Sequence, residues 1–157
     1  MAHYHIPFVP HPDIRRCTAP SHQGRHRHCI DFYMPPGTPV LAARDGVVIY
    51  CVSEWSTSYK NPRMSYAGNG VILRHEDSEE TVYWHALWNS LRVKVGESVR
   101  RGHTLFLSGQ TGYATYPHLH FGVYEGIGQN KILVGKSKAP DFLEPLPLKV
   151  SYKHYEQ

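Results

Sequence analysis

The segment at residues 116–124, Tyr-Pro-His-Leu-His-Phe-Gly-Val-Tyr, constrains the fold more than any other part of the chain. Aromatic and β-branched residues dominate it, and its proline stands near the start, where no ladder donor is needed, so it predicts a β-strand. Strand side chains alternate between faces, so His118 and His120 share one face and the apolar residues at 119, 121 and 123 share the other. The pattern predicts a core strand that holds two imidazoles side by side, as a metal site requires. Two surface histidines on an edge strand are the alternative.

Composition limits the classes of protein that this chain can represent. It has 157 residues, 41% of them hydrophobic and 19% charged, as expected for one globular domain with a sizeable core. The longest apolar run, at 47–52, is too short to span a bilayer, and the N-terminus lacks the pattern of a signal peptide. A net charge of +4 favours an anionic partner such as an acidic cell-wall polymer, but no run of lysine or arginine indicates nucleic acid. Twelve histidines are the compositional indication of metal chemistry.

The three cysteines, Cys17, Cys29 and Cys51, do not form a disulfide framework, because their number is odd. They include no Cys-x-x-Cys pair for zinc or redox chemistry. We expect three reduced thiols, and a Cys17–Cys29 bridge stays open at this point.

Short strand patterns separated by turn residues run along most of the chain, and no segment has ten residues of helical period. We therefore predict an all-β fold, a small curved antiparallel sheet. One hairpin is expected at 39–52 around Arg44-Asp45-Gly46, and another at 71–87 around residues 76–80. The expected organisation is an extended lead-in at 1–20, a catalytic domain at 21–126, and a tail at 127–157 that packs on the domain.

A second group of polar residues, at 22–31, runs from a loop into another short strand pattern at residues 29–34. Asp31 lies there between Ile30 and Phe32, where burial of an unpaired carboxylate would be costly unless a metal or a histidine offset it. A catalytic zinc takes three protein ligands and keeps one open position. Asp31 and His120 can supply two ligands, and a histidine of the 22–28 loop can supply the third. His85, which closes an aromatic strand, is a further candidate for the same cleft.

Several motifs occur in order along residues 21–125. They are Ser21-His22-Gln23-Gly24, Ile30-Asp31-Phe32, Met34-Pro35-Pro36-Gly37-Thr38-Pro39-Val40, Ala42-Ala43-Arg44-Asp45-Gly46-Val47-Val48, Tyr83-Trp84-His85-Ala86-Leu87, the 95–102 turn, the 108–112 turn, and Pro117-His118-Leu119-His120-Phe121. This ordered set resembles the lysostaphin-type zinc metallopeptidases, which are peptidoglycan endopeptidases. The resemblance implies their duplicated-hybrid-motif-like fold and one Zn²⁺ per chain. It also implies that Asp31 and His120 bind the zinc and that His118 and His85 are catalytic.

The first zinc ligand is where the sequence departs from the common family pattern. The family usually has a histidine four residues before the aspartate, but that position here is Arg27. A branch of the family carries Ser-His-x-Gly further upstream, and its resemblance to residues 21–24 selects His22. His26, His28 and a Cys29 thiolate remain alternatives. A second departure is Tyr116, which stands where the family usually has glycine.

The resemblance predicts a zinc-dependent endopeptidase that hydrolyses the peptide cross-links of bacterial peptidoglycan. No His-Glu-x-x-His motif is present, so a histidine must serve as the base. The expected partner is a peptidoglycan peptide, with no nucleic acid and no transmembrane segment, and the chain is expected to be a monomer in the cell envelope or outside the cell. The alternative is a non-catalytic regulator or binding module of cell-wall hydrolases on the same fold.

Overall fold

The computed structural model describes residues 2–126 and 135–156, so the 127–134 part of the predicted tail lies outside the described residues. Within these residues the chain forms short β-strands and three 3₁₀-helices, with no α-helix, as the strand patterns predict. The strands are β1 (His3–Tyr4), β2 (Arg15–Cys17), β3 (Ile30–Tyr33), β4 (Pro39–Leu41), β5 (Gly46–Val52), β6 (Ser58–Tyr59), β7 (Gly70–Arg74), β8 (Glu80–Trp84), β9 (Ser98–Val99), β10 (Thr104–Leu107), β11 (Gly112–Tyr113), β12 (His118–Tyr124), β13 (Ser137–Lys138), β14 (Asp141–Phe142) and β15 (Lys149–Val150). The 3₁₀-helices are η1 (Gly24–His26), η2 (Pro62–Ala67) and η3 (Tyr152–His154).

The main sheet places β12 between β3 and β8, in the order β15-β2-β3-β12-β8-β7-β5-β9, and β13 also pairs with β12. All pairs in this sheet are antiparallel except β15 with β2, which is parallel. On β12, His120 lies opposite Asp31 of β3 and opposite Trp84 of β8. The central strand predicted from the sequence therefore carries the two histidines into the middle of the sheet.

The back face of β12 lies in the hydrophobic core, as the alternation of its side chains predicts. Leu119, Phe121 and Val123 have no exposed surface, and the Phe121 ring packs edge-on against Tyr83 with centroids 5.3 Å apart. At about 25 cal/mol per Å² of apolar surface, each of these side chains contributes roughly 1.5–3 kcal/mol to folding. This packing fixes the direction in which the opposite face projects its histidines.

Residues on both sides of the predicted 21–126 domain join the same core and sheet. Phe8 packs edge-on against Phe32 of β3, with centroids 4.9 Å apart, and Ile14 is buried. The lead-in supplies β2 to the main sheet, and residues near the other end supply β15 beside it. The segment predicted as an extended lead-in therefore contributes to the fold, although its boundary at residue 20 stays a prediction.

The hairpin predicted at 71–87 is confirmed, because β7 and β8 pair antiparallel with Ile72 opposite Val82. The hairpin predicted at 39–52 is wrong: β4 pairs with β10, whereas β5 pairs with β7 and β9. A two-residue hairpin turn with Asp-Gly needs positive φ at both positions, and neither Asp45 nor Gly46 has it. Instead, a Cβ atom on Gly46 would lie 2.8 Å from the Arg74 carbonyl oxygen. The glycine at this position serves a close approach of two strands, not a turn.

Cys17, Cys29 and Cys51 are free thiols, so the open alternative of a Cys17–Cys29 bridge is wrong in this structure. The described part of the chain contains no helix with the length and apolar character that a membrane crossing requires.

Candidate metal centre and active site

Three predicted ligands converge where β3 and β12 lie side by side. Asp31 and His120 face each other across the two strands, and His22 reaches them from the loop before η1. His22 Nε2 lies 3.1 Å from His120 Nδ1 and 3.2 Å from Asp31 Oδ1. His120 Nδ1 lies 3.1 Å from the same Asp31 oxygen. The three atoms thus form a nearly equilateral triangle.

This triangle has the dimensions that a zinc ion imposes on its ligands. Zinc binds nitrogen and oxygen at about 2.0–2.2 Å with tetrahedral geometry, which separates two ligand atoms by roughly 3.3–3.5 Å. The observed edges of 3.1–3.2 Å are only slightly shorter. Two imidazole nitrogens and one carboxylate oxygen are also a donor set that zinc accepts, with a fourth position left open. The residues present fit the metal.

The choice among the histidines of the 22–28 loop follows from their hydrogen bonds. The Nδ1–H of His22 donates to the Cys29 carbonyl oxygen at 2.9 Å, which leaves the lone pair of Nε2 directed at the other two ligands. His26 Nδ1 is instead 2.7 Å from the Tyr124 hydroxyl, and His28 is exposed. In the described residues, the cluster able to hold a metal consists of His22, Asp31 and His120, without Cys29.

The charges at the triangle favour a bound cation. Burial alone would raise the pKa of Asp31, but the histidines at 118, 120 and 22 overcome it and hold that pKa well below its usual range. Burial likewise opposes a charge on His120, but hydrogen bonds from its ring to Asp31 and to the Cys29 thiol raise its pKa to about 10. In the absence of metal, a proton on His120 therefore offsets the Asp31 charge, and a metal ion would replace that proton.

His85 and His118, the two predicted catalytic residues, lie beside this triangle. Their ring centroids are 4.5 Å apart, and His118 Nε2 is 3.7 Å from Asp31 Oδ2. The Nδ1–H of His85 donates to the Thr111 carbonyl oxygen at 2.6 Å, and that of His118 donates to the Tyr116 carbonyl oxygen at 2.9 Å. In the neutral imidazoles, Nε2 therefore carries the lone pair in both cases. Two such nitrogens can accept, hold and return a proton.

The pKa values of both histidines are shifted towards the neutral form. Burial is the largest cause, and it lowers the pKa of His85 well below its usual range, with the neighbouring His118 and His120 acting in the same direction. Burial also lowers the pKa of His118, and it outweighs the opposing effect of the Asp31 carboxylate. Both side chains are thus unprotonated at neutral pH, as a general base must be.

The backbone of His85 is strained. Its φ is +72°, in the left-handed region that residues with a Cβ seldom adopt. Strain of this kind costs of order 1–3 kcal/mol and occurs most often at functional sites. The conformation lets the side chain turn inward beside His118 while its Nδ1–H reaches Thr111.

These side chains line a cleft of about 780 Å³ with aromatic walls. Sequence reasoning missed part of this lining: Thr18, Ala19 and Pro20 from the lead-in, and Tyr152 and Glu156 from the other end of the chain. These residues carry no local motif that could have identified them, since they meet the site only through the pairing of β2 with β3 and of β15 with β2. Tyr116, which the sequence singles out as a departure, is buried beside His118.

Comparison with known proteins identifies the relatives of this chain. The family profile described as peptidase family M23 matches residues 25–133, so His22 lies just upstream of the match. The peptidoglycan DD-endopeptidase ShyA of Vibrio cholerae is 42% identical over 91 residues, which are 58% of this chain and 18% of that protein. The glycyl-glycine endopeptidase ALE-1 of Staphylococcus capitis is 35% identical over 98 residues, which are 62% of this chain and 24% of that protein. The chain thus spans less than a quarter of the length of these two relatives.

Solved structures show the same fold. A zinc-containing peptidase from Vibrio cholerae superposes with a TM-score of 0.56 and 32% identity, covering 78% of this chain and 36% of the other. The catalytic domain of the antimicrobial peptidase lysostaphin from Staphylococcus simulans superposes with a TM-score of 0.55 and 28% identity, covering 88% of this chain and 86% of the other. The fold predicted from the sequence, that of the lysostaphin-type peptidases, is confirmed, and these relatives imply a metal.

Proposed function

The chain belongs to peptidase family M23, and from this premise we propose that it is a zinc-dependent endopeptidase that hydrolyses the peptide cross-links of bacterial peptidoglycan. The observation that carries the proposal is the triangle of His22, Asp31 and His120, with edges of 3.1–3.2 Å, beside two neutral histidines in one cleft. Relatives named as peptidoglycan and glycyl-glycine endopeptidases support the substrate class.

One zinc ion would be held by His22 Nε2, Asp31 Oδ1 and His120 Nδ1. When bound, zinc supplies a water whose pKa is lowered to about 7 and polarises the scissile carbonyl. The chain's own contribution is to fix the ligands: the Cys29 carbonyl orients His22, and β-sheet pairing sets Asp31 opposite His120. The three ligands come from separate segments, so the folded sheet is what assembles them.

His85 and His118 supply the proton transfers. One of them takes a proton from the attacking water on its Nε2 and passes it to the leaving amine, while the other can donate a hydrogen bond to the oxyanion once its own Nε2 carries a proton. Thr111 and Tyr116 hold the two rings through Nδ1, so each Nε2 keeps its direction without reorganisation. Each role is expected to contribute about a hundredfold or more to the rate.

The place of action follows from the substrate. Peptidoglycan lies in the cell envelope, so we assign the protein to the envelope or to the outside of the cell, acting as a monomer on its peptide substrate. Sedimentation or size-exclusion measurements with light scattering test the monomer assignment directly.

A non-catalytic regulator of cell-wall hydrolases on the same fold is the competing function. The complete set of three metal-binding atoms and two histidines with lowered pKa values favours an enzyme, because a binding module has no need of either. Zinc stoichiometry separates the two: the enzyme should hold one zinc per chain, whereas a regulator that had lost its ligands should hold none.

Digestion of purified peptidoglycan, followed by mass spectrometry of the fragments, tests the proposal. The enzyme should release peptide fragments whose new termini identify the bond, and a chelator should abolish the release while added zinc restores it. Glycan strands cleaved with intact peptides, or release that is insensitive to chelation, would contradict the proposal.

A further inference from the structure

The segment at residues 149–156 is fixed to the protein beside the cleft. β15 pairs parallel with β2, and the Thr18 N–H donates to the Val150 carbonyl oxygen at 3.0 Å. The Tyr152 N–H donates to Thr18 Oγ1 at 3.3 Å. This segment lies beyond residue 133, where the match to the M23 profile ends. It is therefore an addition of this chain to the matched region of the family.

Aromatic stacking connects the segment to the catalytic residues. The Tyr155 ring lies flat on Tyr33 of β3, with centroids 3.7 Å apart and planes within 2°. Tyr155 also stacks with Tyr116 at 6.2 Å, and Tyr116 in turn lies 4.5 Å from the His118 ring. Tyr155 stacks on both Tyr33 and Tyr116, and Tyr116 lines the cleft, so the neighbouring Tyr152 and Glu156 are held as one wall of the cleft.

Glu156 is the unexplained charge of this wall. Among the described residues, the carboxylates that line the cleft are Asp31 and Glu156, and no lysine or arginine lines it. Asp31 is surrounded by histidines, whereas Glu156 accepts a hydrogen bond only from the Thr115 hydroxyl, and no cation among residues 2–126 and 135–156 pairs with it. Its negative charge thus faces an aromatic cleft without compensation, an arrangement that attracts a cation.

We propose that the Glu156 carboxylate forms a subsite for a free ammonium group on the substrate peptide. This inference rests on the proposed function and extends it to specificity. Thr115, which holds Glu156, is three residues from His118, so their Cα atoms are at most about 11 Å apart. This limit keeps the ammonium group within about three peptide residues of the scissile bond. The rings of Tyr152 and Tyr113 line the same cleft and can add cation–π attraction.

The test compares two substrates and two variants. Cross-linked peptide dimers released from purified peptidoglycan carry free amines, and acetylation of those amines gives a matched substrate without the charge. Glu156→Gln removes the charge but keeps an oxygen that can accept from Thr115. Glu76→Gln is the matched control, because Glu76 is exposed and does not line the cleft. Initial rates give kcat and KM, and calorimetric titration of each dimer into the chelator-treated protein, which should not hydrolyse it, gives affinity independently of cleavage.

The wild-type protein should prefer the free-amine dimer over the acetylated dimer by about twofold to fivefold, mainly through KM, as expected for a partly exposed ion pair. Glu156→Gln should abolish the preference without changing the values for the acetylated dimer, and Glu76→Gln should keep it. The preference should also decrease as salt is raised from 0.05 to 0.5 M.

Equal KM values and affinities for the two dimers in the wild type, or a preference that survives Glu156→Gln, would overturn the subsite. Cleavage of either dimer would still support the endopeptidase. Absence of cleavage of both dimers would count against the proposed function, and the calorimetric affinities would still decide the subsite.

Discussion

The left-handed backbone of His85 gives a prediction that separates strain from chemistry. We compare His85→Gly with His85→Ala, which both remove the imidazole and its hydrogen bond to Thr111, so these losses cancel in the comparison. A residue with a Cβ in the left-handed region costs about 1–2 kcal/mol more than glycine does there. Glycine gives back about 0.4–1 kcal/mol through the greater freedom of its unfolded chain. The His85→Gly variant should therefore be the more stable of the two by about 1 kcal/mol.

Urea denaturation measures this difference. With an m value of about 2 kcal/mol per M, the midpoint of the His85→Gly variant should lie roughly 0.5 M above that of His85→Ala. All samples should contain chelator, because bound metal would add its own stabilisation. Trp88 is the matched control: it is exposed and its φ is not positive, so Trp88→Gly should be less stable than Trp88→Ala by about 0.4–1 kcal/mol.

Activity should not follow stability at residue 85. Both variants should lose at least about a hundredfold in the rate of peptidoglycan hydrolysis, since neither carries an imidazole. A His85→Ala variant at least as stable as His85→Gly would refute the assignment of strain to this residue. Activity close to wild type in either variant would refute the catalytic role.

Three further predictions concern the same cleft. The His118→Ala variant should keep one zinc per chain and a near-native fold but lose at least about a hundredfold in hydrolysis rate. The double variant with His85→Ala should lose less than the product of the two single losses, because both histidines act on one step. Losses that multiply fully would assign the two histidines to separate steps. Burial lowers the pKa of both histidines below the usual value of 6.5, and a bound metal cation acts in the same direction, so the acidic limb of kcat/KM should have its midpoint below pH 6.5. A midpoint above pH 6.5 would contradict the neutral base. Replacement of Cys17, Cys29 and Cys51 by serine should preserve zinc binding and catalysis. The zinc affinity should change by no more than about tenfold, through the lost contact of Cys29 to the His120 ring. A triple variant that folds but binds no zinc would indicate that Cys29 is a ligand.

The sequence predicted features that depend on local alternation. The two faces of β12 follow from side-chain alternation, and the β7–β8 hairpin follows from two strand patterns joined by a short polar turn. The failed 39–52 hairpin shows the limit of this reasoning, because an Asp-Gly pair forms a two-residue type I′ hairpin turn only where both residues adopt positive φ. Gly46 is instead required by the close approach of Arg74, which no local pattern encodes.

Contacts between distant parts of the chain could not be predicted in the same way. Tyr155 stacks on Tyr33 across 122 residues of sequence, and Glu156 bonds to Thr115 across 41. No periodic sequence pattern predicts such pairs. They form only in the folded chain, where β15 lies beside β2. The site therefore divides into a part that the motifs predict, the histidines and Asp31, and a wall that only the folded chain supplies.

Zinc bound per chain is the measurement that tests the central claim most directly. After equilibrium dialysis against buffered zinc, the wild-type protein should hold one zinc per chain by atomic absorption. His22→Ala and His120→Ala should each lose most of it, because three ligands leave no redundancy, whereas His26→Ala and His28→Ala should keep it. Full zinc in His22→Ala with loss in His26→Ala or His28→Ala would contradict the assignment of the first ligand. A wild-type protein without zinc would contradict the metal centre itself.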